Sequence, residues 1–184
     1  LDDKGRRISY KLRDTAFEEM VSHEFLTGPR VVVGPDDAFH CDDVQLSRFS
    51  DGTVVVANFS SLPYKWGSAK IPPMDFLIYN ERLALKTACL RKDETGEVLI
   101  SILVENTWDV GIPASELEIM ARGAWFSTSP VAAARVPALE PGERFRLTRR
   151  IRPPRMGRMW MVSRISIPMD PPWAVTDIAE CGPA

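Results

Sequence analysis

The stretch VQLSRFSDGTVVVANFS, Val44 to Ser60, decides the fold class. Val44 to Phe49 and Thr53 to Ser60 each carry a period of two. Between them Ser50-Asp51-Gly52 supplies the positive backbone angles of a tight turn, so the whole stretch reads as an antiparallel hairpin. Upstream, Arg30 to Val33 reads as a further strand, broken by Gly34-Pro35-Asp36-Asp37. Arg13 to Leu26 is expected to be a helix. Asp14 or Thr15 can cap it, Phe17, Met20, Val21 and Phe25 fall near a 3.6 period, and Gly28-Pro29 stops it. Downstream, Ala69 to Tyr79 looks extended, with Pro72-Pro73 confining it to an edge or a bulge.

The organisation restarts near Asn80 to Arg82. Leu83 to Arg91 is one apolar run, Lys92 to Glu97 a turn, and Val98 to Glu105 a strong strand. Glu116 to Arg122 alternates, whereas Ser127 to Val136 is small and loop-like. Leu139 to Glu143 turns the chain into two more strands, Arg144 to Ile151 and Arg158 to Ile167, around Pro153-Pro154. The Pro-rich tail, Pro168 to Ala184, is expected to be irregular. Many short strands with turns between them argue for antiparallel sandwiches rather than a parallel α/β sheet. The expected fold is therefore mainly β. A short N-terminal helix and a small antiparallel β domain occupy residues 1–80, and an immunoglobulin-like β-sandwich occupies 81–184.

The 184 residues, 45% apolar and 26% charged, suffice for one ordinary domain or two small ones and exclude disorder. No apolar run approaches the roughly 18 residues of a membrane span and no leader opens the chain, which reads as soluble with no membrane partner. The compartment is left open, extracellular and cytoplasmic both fitting. A start at Leu1 fits a trimmed product or a piece of something larger. A net charge of −2 argues against a general nucleic-acid binder. The charge is uneven, however. Arg144, Arg146, Arg149, Arg150, Arg152, Arg155, Arg158 and Arg164 fall together without Asp or Glu, while Asp36, Asp37, Asp42 and Asp43 cluster near the N-terminus. Cys41, Cys89 and Cys181 form no CxxC and allow one disulfide with one cysteine left over.

No catalytic constellation stands out. Asp42, Asp43, Glu105 and Asp109 cannot be paired into a glycosidase acid and base from sequence, and solvated turn acids are the simpler reading. His40 and Cys41 are adjacent and point to opposite faces of a strand, His23 reads as a helix-end contact, and no third ligand has zinc spacing. The aspartate cluster lacks the alternation of a calcium loop and fits turn formation. No cofactor and no metal site are expected. Tyr64 and Trp66, in the loop after the hairpin, and Trp108, beside a turn, are the aromatics placed to stack on a sugar; capping the core is their alternative. Trp125 and Trp160 read as core. Arg144, Arg146 and Arg150 alternate with Phe145, Leu147 and Ile151, so their charges share one face, suited to an anion or to a docking interface. Asn58-Phe59-Ser60 matches a glycosylation acceptor but lies inside an expected strand.

Two stretches carry a resemblance. Met20 to Thr27 with Arg30-Val31-Val32, then Arg48 to Ser60, resembles the passage that follows the catalytic barrel in certain large glycoside hydrolases, whose hairpin reads DG, three apolar residues, any residue, N, F or Y, S. Ile71-Pro72-Pro73-Met74-Asp75-Phe76-Leu77-Ile78 is similar to the proline turn and aromatic-aliphatic strand that close such domains. Val104-Glu105-Asn106, Trp108 to Gly111 and Leu139 to Arg144 resemble immunoglobulin-like modules appended to carbohydrate-active enzymes. The resemblance implies a non-catalytic accessory region that supports a catalytic barrel, in the same parent protein or on another subunit, and contacts carbohydrate. A barrel needs roughly 250 residues, more than this chain contains. The rival reading is a structural assembly protein, such as a viral capsid or decoration subunit, which the arginine face and the Pro-rich tail would suit.

Overall fold

A computed structural model describes residues 3–27, 31–33, 39–41, 43–91, 97–123, 128–152 and 159–183. The chain divides into two compact units, Phe17–Asn80 and a second built from Leu1–Ala16 together with Glu81–Ala184. The fold is mainly β, as the alternation of the sequence requires. No helix among the described residues is long and apolar enough to cross a membrane.

In the Phe17–Asn80 unit, one antiparallel sheet runs β1 (Met20–Phe25), β4 (Val44–Phe49), β5 (Thr53–Asn58), β8 (Asp75–Asn80). Two hairpins accompany it: β2 (Val31–Val33) with β3 (Phe39–Cys41), and β6 (Tyr64–Trp66) with β7 (Ala69–Ile71). The β4–β5 turn forms where expected, with Gly52 alone supplying a positive φ and Asp51 acting through its side chain. Gly52 takes φ 85°, and the buried Asp51 carboxylate accepts from the Thr53 amide at 2.8 Å and the Thr53 hydroxyl at 2.9 Å. Leu46↔Val56 and Arg48↔Val54 pair across the hairpin, putting Val44, Leu46, Val54 and Val56 on one face, where they form a core with Ile71.

The helix expected at Arg13–Leu26 is not where the helix lies. Met20–Phe25 is an edge strand paired with Phe49–Gln45, and α1 spans Asp3–Lys11 with a short 3-10 turn at Thr15–Phe17. The 3.6 spacing of Phe17, Met20 and Phe25 misled because these side chains face no helical core; all three are exposed. Cross-strand pairing, invisible locally, overrides the periodicity.

In the second unit two four-stranded sheets enclose a common core. One runs β13 (Arg144–Ile151), β10 (Val98–Asn106), β9 (Leu83–Arg91), β16 (Gly182–Pro183); the other runs β12 (Thr128–Val136), β11 (Ser115–Gly123), β14 (Met159–Ile167), β15 (Trp173–Glu180). Inward side chains of both, among them Val98, Ile100, Ile102, Val104, Leu117, Ile119, Met161 and Ile165, pack as one cluster. Two expectations are corrected here. Thr128–Val136 is a strand rather than a loop, tolerating Pro130 because it is an edge with a register shift opposite Ile119 and Met120. The tail is not irregular either, since Trp173–Glu180 pairs fully with β14.

The tail hides its periodicity because both faces of β15 are covered. The helix α1 lies on the outward side of the β12–β11–β14–β15 sheet, where Tyr10 packs with Trp160, Val162 and Ile178. Asp14, just past the helix, accepts from Arg164 Nε at 3.0 Å and from Thr176 Oγ1 at 2.6 Å, and the Arg122 guanidinium sits 4.7 Å from the Tyr10 ring centre. The N-terminal helix thus belongs to this unit, so the first sixteen residues separate from the rest of the segment 1–80. Where β15 passes to β16 the chain changes sheets, and there Cys181 forms a disulfide with Cys89 on β9.

Candidate functional site

Two surfaces offer themselves, one on each unit. The first is the side of the β1–β4–β5–β8 sheet opposite its core. Pairing sets its rows: Phe25–Gln45–Ala57–Phe76, then His23–Ser47–Val55–Ile78, then the pairs Met20–Phe49 and Thr53–Asn80 on either side of the turn. A sheet with water on one side alternates apolar and polar residues. Here the outer face is mixed, with Met20, Phe25, Phe49, Val55, Phe76 and Ile78 set among His23, Gln45, Ser47, Thr53 and Asn80. Met20, Phe25 and Phe76 retain 51%, 52% and 38% of their surface. Aromatic edges bind the rim together, His23 meeting Phe25 at 5.4 Å and Phe59 meeting Phe76 at 6.1 Å, while His23 Nδ1 lies 3.0 Å from Ser47 Oγ. His23 is thus a strand residue on this face, not a helix-end contact.

The second surface is the outward side of the β13–β10–β9 sheet. The strict alternation of Val98–Asn106 buries Val98, Ile100, Ile102, Val104 and Asn106, and it leaves Leu99, Ser101, Leu103 and Glu105 outward. Registered with them are Arg144, Arg146, Thr148 and Arg150 on β13, and Ala84, Lys86, Ala88 and Leu90 on β9. Arg144, Arg146 and Arg150 therefore do share one face. Arg144 donates to Glu105 Oε1 at 2.8 Å. Among the described residues no acidic partner meets Arg146, Arg150 or Lys86. Arg149 has the opposite parity and donates to the Ala133 carbonyl at 3.2 Å across the sandwich edge. Lys86 was legible in LALKTACLR, where it alternates with Leu85 and Thr87, but reading that stretch as one apolar run obscured it.

The aromatic candidates do different work. Tyr64 and Trp66 sit two apart on β6, half-buried against the Val44–Val56 core, and Trp66 Nε1 donates to Tyr79 Oη at 3.2 Å. Trp108 belongs to the other unit, where the Arg82 guanidinium lies 4.8 Å from its ring centre and 5.7 Å from that of Trp173. One indole face of Trp108 is therefore already occupied. Trp160 is buried beneath α1 rather than between the sheets, and Trp125 lies outside the described residues.

The acids are likewise committed. The buried Asp43 accepts from Gln45 Nε2 at 3.2 Å. Asp177 accepts from the Thr87 amide at 2.7 Å and pairs with Lys11 at 3.4 Å, and Glu105 holds Arg144. Asp109 is exposed in its turn. Asp36, Asp37 and Asp42 lie outside the described residues, as do the surroundings of His40 and Cys41. Among the described residues no group of three His, Cys, Asp or Glu gathers to hold a metal ion.

Sequence reasoning missed two buried asparagines that organise the loops. Asn58, 1% exposed, donates from Nδ2 to the carbonyls of Leu62, Ile71 and Pro72 and accepts from the Ser60 amide. Its engagement leaves the amide unavailable to a glycan. Asn106 repeats the arrangement at the end of β10, donating to Val110 and Leu139 carbonyls and accepting from the Trp108 amide. The shared signal is an Asn ending an alternating apolar strand, in VVVAN and ILVEN. No protein-family model and no curated protein matches the sequence.

Proposed function

We propose that this chain is a non-catalytic β accessory region of a carbohydrate-active enzyme, and that it buttresses a glycoside-hydrolase barrel of the same parent protein. The observation that carries the reading is the set of large apolar side chains, Met20, Phe25 and Phe76, exposed on the outer face of the β1–β4–β5–β8 sheet. Exposed apolar patches of this kind mark association surfaces. The stretches resembling post-barrel domains, Met20–Thr27, Arg48–Ser60 and Ile71–Ile78, contain β1, β5 and most of β8 of this sheet and its connection from the β6–β7 hairpin. The occupant is accordingly the barrel that precedes such domains. The Cys89–Cys181 disulfide supports an oxidising compartment, in keeping with an exported polysaccharide-degrading enzyme.

The test uses the full-length parent protein. Phe25→Asp with Phe76→Asp places two charges on the docking face. Glycosidase activity of the parent should then be lost at a lower temperature than in wild type, by a larger shift than the loss of the His23–Phe25 and Phe59–Phe76 contacts causes in the melting of the 184-residue chain carrying the same changes. An unaltered parent enzyme would overturn the reading. So would a parent reading frame without a barrel, or a chain that by itself closes into a multi-subunit shell, the outcome the assembly-protein reading predicts.

A further inference from the structure

We propose that the outward face of the β13–β10–β9 sheet binds an extended anionic polysaccharide, one bearing carboxylate or sulfate groups. Arg146 and Lys86 close the two ends of one cross-strand row through Leu103, and Arg150 heads another through Leu99 to Leu90. Two strand spacings separate Arg146 from Lys86, about 10 Å, and four residues of strand separate Arg146 from Arg150, about 13 Å. That separation is too wide for one small anion to bridge, and it suits a polymer that repeats its charge. Guanidinium forks match carboxylate and sulfate oxygens bidentately, with Lys86 a point charge beside them. Between the cations, Leu99 and the 54%-exposed Leu90 give an aliphatic floor on which the C–H faces of sugar rings can rest.

The competing polyanion is nucleic acid, which this face suits less. Among the described residues this face carries no aromatic side chain to stack a base. The chain as a whole has a net charge of −2, and the disulfide argues for a compartment where acidic polysaccharide is the polyanion met. The site is independent of docking on a barrel, so its failure and that of the accessory reading are separable.

The experiment is affinity chromatography of the 184-residue chain on immobilised heparin and on immobilised polygalacturonate at low salt, with single-stranded DNA-cellulose beside them. Wild type should be retained on at least one polysaccharide and released by NaCl. Arg146→Ser with Arg150→Ser should weaken binding roughly tenfold, from the loss of two exposed charge contacts, and elute at lower salt. Arg135→Ser with Lys70→Ser removes the same charge from exposed positions elsewhere and should elute as wild type. Both pairs lie at exposed positions, so thermal melts should coincide. The proposal is overturned by no retention of wild type, which would leave the arginines as guards of an edge strand. It is equally overturned by matched losses in the two variants, or by tighter retention on the DNA matrix than on either polysaccharide.

Discussion

Replacing Asn106 with Ala should cost the sandwich about 3 kcal/mol, worked from three lost hydrogen bonds at about 1 kcal/mol each. Asn106 is 0% exposed, and its side chain donates at 3.0 Å to the Val110 carbonyl and at 2.9 Å to the Leu139 carbonyl, and accepts at 3.0 Å from the Trp108 amide. Part of the loss is cushioned, because the Leu139 carbonyl also accepts from the Ile112 amide and the Trp108 amide also donates to the Arg82 carbonyl. Asn106→Asp is the sharper probe. It keeps the acceptor for Trp108 but turns a carboxylate oxygen toward two carbonyls in a fully buried position, so it should cost as much as the alanine change or more. Urea unfolding with the disulfide intact, followed by tryptophan fluorescence in a Trp66→Phe background so that the signal comes from the sandwich unit, reads both variants, a fall in midpoint at constant slope giving the stability change. A loss below about 1 kcal/mol for Asn106→Ala, or an aspartate variant as stable as wild type, would refute the view that this side chain holds the loop and the Leu139–Ile112 bridge together.

Three further outcomes follow from the same contacts. Asp14→Ala removes the acceptor shared by Arg164 and Thr176 and should cost about 2–3 kcal/mol, with faster amide exchange in Asp3–Lys11 and unchanged exchange in β10; protection of the helix equal to wild type would deny its docking. Cys89→Ser with Cys181→Ser opens a loop of sequence separation 92 and should lower stability by about 4–5 kcal/mol on the loop-entropy account, against which a variant melting with wild type would stand. Trp66→Ala should loosen the amides of β4 and β5 by about 2 kcal/mol, whereas Trp66→Phe, which loses only the bond to Tyr79, should cost about 1 kcal/mol or less; unchanged protection in the alanine variant would remove Trp66 from the core.

The elements that were legible in the sequence are those whose periodicity is answered by a single core. Val98–Asn106 alternates without a break because one face meets the opposing sheet and the other stays outside, and the Asp51-Gly52 turn announces the β4–β5 hairpin through local backbone chemistry. Met159–Ile167 and Trp173–Glu180 are buried on both sides, by the sandwich core and by α1, and covered faces erase alternation. The helix that covers them, DKGRRISYK, has little apolar content of its own. Tyr10 and Asp14 gain their partners from residues about 150 positions away, and no local pattern encodes such a contact. The arginine face could be read from alternation alone. Its pairing could not, since Glu105 neutralises Arg144 and Lys86 joins Arg146 only through the register of three strands.

Hydrolysis separates an accessory region from a protein that works alone. The purified 184-residue chain and the product of its complete reading frame would be assayed side by side on a panel of aryl glycosides and polysaccharides. Turnover is expected from the complete product and none from the chain alone. Turnover by the chain alone, or a complete product that cleaves no glycosidic bond, would contradict the accessory role.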